Sequence, residues 1–219
     1  MFLSLELSSL TSLSLSSTSF RGSVMHALIK KSVLMTVVLL IVTCGVYPAV
    51  VWVVGQVVFH HQAKGSLVER NGIVVGSKLI AQNFQKPEYF HPRPSSAGDK
   101  GYDAANSSGS NLSLTNKKFI DGLNSNIKQS LTDNPGLVQG QVPNDMVTGS
   151  GSGLDPDISS ENAMAQAGRV AQARHSSTEV VKDLVEKHIE KPDLNLIGES
   201  HVNVLELNLA LDERLPVNK

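Results

Sequence analysis

The chain has 219 residues, a formal net charge of −1 and one cysteine. A single cysteine excludes an intrachain disulfide framework and a cysteine-based zinc site. The near-neutral balance, with no basic face, argues against nucleic acid as a partner.

Residues 1–19, MFLSLELSSLTSLSLSSTS, are rich in Ser and Leu and low in complexity. They lack a basic leader and an A-x-A cleavage site, so they make a poor signal peptide. Met25 is an alternative start, and 1–24 is expected to be disordered or an over-extended start. We read 1–31 as an N-terminal tail, 32–59 as a transmembrane helix and 60–219 as one extracytoplasmic domain.

The run 32–59, SVLMTVVLLIVTCGVYPAVVWVVGQVVF, carries no Asp, Glu, Lys, Arg or His. As a helix it reaches roughly 42 Å at 1.5 Å per residue, enough to cross a bilayer. Pro48 lies near its middle, and a bilayer tolerates the kink that this predicts. Gln56 is the strongly polar side chain in the run. It predicts contact with another helix, or else wetting at the interface. Trp52 is an interface anchor; Tyr47 lies deep for that role. Lys30 and Lys31 abut the start of the helix, whereas Lys64 and Arg70 are the nearest cations after it. The positive-inside rule then places the N-terminus in the cytoplasm and the C-terminal domain outside a bacterial inner membrane. A lipoprotein signal ending at Cys44 is the rival reading. Thr43 is a poor residue before such a cleavage site, and the apolar run continues past it, so Cys44 is read as a small apolar helix residue.

From His60 onward there are 16 Lys plus Arg against 19 Asp plus Glu, a net of −3. Asn71-Gly72, between Leu67-Val68 and Ile73-Val74-Val75, predicts a two-residue β-hairpin. Ser77 is read as capping a short helix that runs to Phe84. PEYFHPRP, 87–94, has three prolines in eight residues and excludes regular structure. Its Tyr89, Phe90, His91 and Arg93 either form a partner-contact surface or, for the two aromatics, pack onto their own domain; the second is preferred. Residues 95–115 are rich in Gly, Ser and Asn, a flexible linker in isolation or an ordered loop held by side chain to backbone hydrogen bonds.

Phe119, Ile120, Leu123, Ile127 and Leu131 recur at helical spacing and predict a helix over 116–131. Asn134-Pro135-Gly136 predicts a turn. In 142–160, Asp155 and Asp157 flank Pro156, and Ser159 or Ser160 caps a helix over 161–174. Ser176-Ser177-Thr178-Glu179 has the pattern of a capping box opening a helix that Pro192 ends. In HVNVLELNLAL, 201–211, apolar alternation slips phase after Val204. That predicts either a bulge between strand halves or a strand running into a helical turn. The mixture gives one transmembrane helix plus a single α/β (α+β) domain.

No motif for independent chemistry emerges. GIVVGSK has the wrong glycine spacing for a phosphate-binding loop. GSGSG is not a nucleophile elbow, because its central residue is Gly151. No HExxH or other paired metal-ligand pattern occurs.

Taken together, several segments resemble one family, the small C subunit of the Kdp potassium-transporting P-type ATPase. They are the span with Tyr47-Pro48 and Gln56, then GSLVERNGIVVGSKLIAQNF, YFHPRPS, SSGSNL, GSGLDPDIS, RVAQAR and VNVLELNLALD, over about residues 25–212. The sequence departs from the family at Ala81, which replaces a glycine, at Asp157, which replaces a histidine, and at Ala167-Gly168, which replace a Val-Pro pair. The resemblance implies a non-catalytic accessory subunit of a high-affinity potassium importer. Its partners would be a channel-like potassium-translocating subunit and the P-type ATPase catalytic subunit. ATP and potassium are then used by the complex, with no cofactor bound directly by this chain. The implied contact residues are Gln56, Tyr89, Phe90, Arg93, Asn111, Asp155 and Arg169. The competing reading is a stand-alone single-pass envelope protein whose outer domain binds a ligand or peptide.

Overall fold

A computed structural model describes residues 24–192 and 197–217. The expectations for 1–19, and for 1–24 as far as residue 23, lie outside the described residues. The chain divides into two units, Met1–Ala63 and Lys64–Lys219.

In the first unit one helix, α1, spans Val24–Val58, with a mean hydropathy of 2.5 over its most apolar window and no residue of that window buried within the chain. It begins ahead of Lys30 and Lys31, earlier than the apolar run alone marks. At 1.5 Å per residue it is roughly 52 Å long. The expected proline kink takes a specific form, a π-helical segment at Ile41–Val46. Pro48 has no N–H and its ring collides with the carbonyl four residues back in a regular helix. A wide turn lies just ahead of it, in which the Tyr47 N–H donates to the Val42 carbonyl, the kind of local adjustment that accommodates a proline inside a helix. Thr36 and Thr43 return their hydroxyls to the carbonyls of Ser32 and Leu39 at 2.9 and 2.7 Å. Each threonine hydroxyl is thereby satisfied within the helix. A short helix α2, His60–Ala63, follows.

The second unit begins with the predicted hairpin, β1 (Leu67–Arg70) and β2 (Ile73–Ser77), paired antiparallel with a bulge that leaves Val75 unmatched. Asn71 and Gly72 at φ +54° and +76° are the two left-handed residues that a type I′ turn requires. The helix expected after Ser77 does not form. The Ser77 hydroxyl donates to the Gly65 carbonyl at 2.7 Å and accepts from the Leu79 N–H at 3.1 Å, a local turn in place of a cap. The backbone groups that a helix would use go to distant partners instead: Ala81 N–H to Leu154 O at 2.9 Å, and Lys78 O to Asn203 Nδ2 at 3.0 Å.

The core is built by three helices and a two-stranded sheet. β3 (Asp157–Ser159) pairs antiparallel with β4 (His201–Asn203), and each strand runs without a loop into a helix, α5 (Ser160–Ala173) and α7 (Val204–Arg214). The cap residues explain both junctions. Ser159 accepts from the Asn162 N–H at 3.1 Å and Asn203 from the Glu206 N–H at 3.2 Å, so one side chain ends a strand and starts a helix. For residues 201–211 the strand-into-helix reading is therefore the correct one, and Val204, Leu207 and Leu211 share a buried helical face. α3 (Lys117–Asp133, capped by Asn116) and α4 (Asn144–Val147) precede β3, and α6 (Thr178–Lys187) lies between α5 and β4. The cap of α6 is Ser177, which accepts from Val180 N–H; the expected Ser176–Glu179 box is displaced by one residue. α6 stops at Lys187, short of Pro192, because Glu190 leaves the helix to bridge His201. Phe90, Ile158, Ala167, Val170, Val185, Val202 and Leu207 meet in the core between α5, α6 and α7.

Residues 95–115 form an ordered loop. The Ser95 hydroxyl donates to the Gly153 carbonyl and accepts the N–H groups of Ala97 and Tyr102 at 3.1 and 2.8 Å. Ser108 N–H bonds the Ser152 carbonyl at 2.9 Å. Gly153 (φ +66°) is where the two loops touch, and a Cβ there would strike the Ser108 carbonyl and lie 2.9 Å from Ala97 N. Gly153→Ala is expected to destabilise this unit by about 2 kcal/mol, through left-handed strain plus the clash. Urea unfolding of the full chain measures it.

Candidate functional site

The proline-rich segment 87–94 has the chemistry of a strap. Its prolines remove donors and forbid a regular ladder, so its remaining backbone groups need other partners. Two carboxamides supply them. Asn208 of α7 accepts from the Phe90 N–H at 2.8 Å and donates to its carbonyl at 3.0 Å. Gln166 of α5 does the same for His91, at 2.8 and 3.0 Å. Each amide imitates the edge of a neighbouring strand. Phe90 is carried inward to 0% exposure as a core residue, in line with the preferred reading of its role.

Arg169, one turn beyond Gln166, is 7% exposed. It donates to the carbonyls of Pro87 and Tyr89 at 2.6 and 2.9 Å, to Asn134 Oδ1 at 3.2 Å and to Gln166 Oε1 at 2.6 Å. Burial lowers its pKa to about 10, with Asp133 opposing the shift. The same burial, reinforced by the Arg169 charge, lowers the pKa of His91. Asn162 joins the row, accepting from Gln166 and donating to Asp145. Asp145 also takes the N–H and hydroxyl of Ser159 at 2.7 and 2.9 Å.

A second cluster holds the other end of the strap. The Asp212 carboxylate takes Arg174 Nη2 at 2.8 Å, Arg70 Nη1 at 3.2 Å and the Tyr89 hydroxyl at 3.3 Å. The Arg174 guanidinium also sits 4.9 Å from the Tyr89 ring centroid, a cation–π contact. Partial burial, then the Asp212 charge, raises the Tyr89 pKa, so its hydroxyl stays a donor.

Beyond the strap the groups turn outward. Arg93 pairs with Asp155 at 3.0 Å and reaches the Gly149 carbonyl at 3.3 Å; the Tyr102 hydroxyl donates to the Arg93 carbonyl at 2.9 Å. Arg93, Asp155, Asp157, Asp145, Glu161 and His201 line a cleft of about 390 Å³. Asp157 is half-buried. Desolvation raises its carboxyl above 3.8, opposed by the hydrogen bond from Asn203. A folded value above the unfolded one means that ionisation costs stability. The cost is absent below the unfolded value near 3.8 and grows as pH rises through the folded one. Asp157→Asn should therefore raise the melting temperature at pH 7 and leave it nearly unchanged at pH 3. Scanning calorimetry at the two pH values measures it.

Of the sequence-derived residues, Tyr89, Phe90 and Arg169 share the strap cluster, and Arg93 and Asp155 share the cleft. Asn111 is exposed on the ordered loop in a left-handed conformation (φ +52°). Gln56 is half-buried near the C-terminal end of α1 in the other unit. Sequence reasoning missed Gln166, Asn208, Arg174 and Asp212. Asn162, Gln166 and Arg169 lie at i, i+4 and i+7 on one helix, and that polar stripe beside Ala163, Ala167 and Val170 was a usable signal. His91, His188 and His201 each place a ring nitrogen on a main-chain carbonyl, at 3.0, 2.8 and 3.0 Å. Among the described residues no group of three His, Cys, Asp or Glu converges to hold a metal.

The family model for "K+-transporting ATPase, c chain" matches residues 29–213, covering both α1 and the polar unit. A potassium-transporting ATPase KdpC subunit of Mycobacterium bovis BCG is 52% identical over 178 residues, 81% of this chain and 94% of the relative. Subunits of the same name from Gemmatimonas aurantiaca and Caldanaerobacter subterraneus are 46% and 44% identical, over 84% and 87% of this chain and 92% and 97% of theirs. A match of that length and identity, with the strap and both helix-capping junctions inside it, places the chain in the KdpC family, the c chains of K+-transporting ATPases.

Proposed function

We propose that this chain is the non-catalytic accessory subunit of an ATP-driven potassium importer, pinned in the inner membrane by α1, with its polar unit outside. The observation that carries the reading is the family match, which takes in the anchor and the polar unit together. Lys30 and Lys31, inside α1 just ahead of its uncharged run, support an N-terminus in the cytoplasm.

In this reading α1 packs on the channel-like subunit. Gly45 and Gly55 allow close helix approach and Gln56 supplies an interhelical hydrogen bond. The polar unit covers the ion entrance through its outward groups, Tyr89, Arg93, Asn111 and Asp155, while Phe90 and Arg169 hold the strap beneath them. A domain outside the membrane cannot touch ATP inside. Its effect on ATP use by the catalytic subunit is then a coupling free energy passed through the assembly.

Deleting the chain from a bacterium that depends on such an importer should abolish growth when potassium is scarce, and the full-length chain should restore it. Gln56→Leu should weaken co-purification with the large subunits by about 1 kcal/mol, several-fold in affinity. Reporters fused after Arg93 and after Lys219 should both lie outside. Normal import without the chain, or purification of the chain from cells always free of larger membrane partners, would favour a stand-alone envelope protein instead.

A further inference from the structure

A guanidinium as buried as Arg169 ordinarily faces a carboxylate, because an unpaired charge removed from water is costly. Arg169 faces none in ion-pair range among the described residues. Four of its five N–H groups donate to neutral oxygens, those of Pro87, Tyr89, Asn134 and Gln166. One N–H on Nη2 has no acceptor within the described chain. Arg169 also lines a cavity of about 510 Å³, together with Gln85, His91, Gln129, Asp133 and Gln172.

The walls restrict what enters. His91 places Nε2 on the Lys86 carbonyl at 3.0 Å, and a carbonyl only accepts, so Nε2 carries the proton. Burial and the nearby Arg169 charge keep the ring neutral. Asp133 is held by Gln129 Nε2 at 2.7 Å, and its negative charge on the wall disfavours a dianion. The carboxamides of Gln85 and Gln172 stand on the same wall with donors to offer.

We propose that this cavity is a binding site for a small monocarboxylate, whose oxygens accept the remaining Arg169 N–H and the carboxamide donors beside it. The carboxylate belongs to a free organic acid or to an Asp or Glu side chain of a partner subunit. The proposal rests on the polar unit's own geometry and stands or falls apart from the transport reading.

The test is calorimetric titration of the full-length protein in detergent with sodium acetate, at ionic strength held constant with sodium chloride. Saturable binding of acetate, and none of sulfate, is expected. Gln172→Glu lies one helical turn from Arg169 and supplies an internal carboxylate. It should stay folded, as judged by its melting temperature, and lower acetate affinity at least ten-fold. In the assembled complex, retained acetate binding identifies a free acid as the ligand. Its loss identifies a partner side chain; both outcomes uphold a carboxylate site. Non-saturable acetate heats, equal binding of sulfate, or unchanged acetate affinity in Gln172→Glu would overturn it.

Discussion

Asp212→Ala is expected to be the most destabilising single substitution in the polar unit, by about 3–5 kcal/mol. The reason is what it leaves behind. The Arg174 side chain is 1% exposed and Asp212 is its carboxylate partner, at 2.8 Å. Its other acceptors are the carbonyls of Glu88, Leu211 and Leu215, which carry no compensating charge. Removing the carboxylate also frees Arg70 from the hairpin side and the Tyr89 hydroxyl from the strap side. β1, the strap, α5 and α7 thus lose a common anchor at once. Asp212→Asn keeps hydrogen-bonding capacity without the charge and should cost roughly half as much. Urea denaturation of the full-length chain, followed by far-ultraviolet circular dichroism, measures both. An Asp212→Ala effect below about 1 kcal/mol would show that Arg174 is satisfied by main-chain carbonyls alone.

Gln166→Leu is expected to follow closely, at about 3–4 kcal/mol, with little change in side-chain volume. One amide makes four hydrogen bonds: it donates to the His91 carbonyl and Asn162 Oδ1, and accepts from the His91 N–H and Arg169 Nη2. Gln166 is 3% exposed, so water cannot replace them. Leaving several buried polar groups unpaired costs about 1–3 kcal/mol each before relaxation. Asn208→Leu removes one bidentate pair, that to Phe90, and should cost about 2 kcal/mol. Hydrogen exchange separates the two. Gln166→Leu should expose the His91 amide, whereas Asn208→Leu should expose that of Phe90.

The same strap shows where sequence reasoning reached its limit. Three prolines in 87–94 identify an irregular segment, and its neighbours cannot be read from composition. Asn208 stands between Leu207 and Leu209 and looks like the wet face of a strand. It is 2% exposed because Asn203 caps a helix there and turns residue 208 toward the strap. Ser77 looks like a helix cap, and the next residues prefer helix locally. Leu154 and Asn203 instead claim the free backbone groups of Ala81 and Lys78, a choice that local propensity does not contain.

What the chain determined on its own is local or periodic. An uncharged run long enough to cross a bilayer, Asn-Gly between strand-formers, Ser and Asn caps and apolar spacing at helical intervals each act through contacts a few residues apart. They led to the anchor, the hairpin, α3, α5, α6 and, through ordered motifs, the family. The tertiary structure alone decided which polar side chains are interior. Phe90 and Arg169 look alike as candidates for outward contact with Arg93 and Asp155, yet the first two are buried and the second two line an open cleft. Burial of a polar group depends on partners far along the chain, Asn208 for the Phe90 backbone and Pro87, Tyr89 and Asn134 for Arg169, and only folding brings those partners within hydrogen-bonding distance.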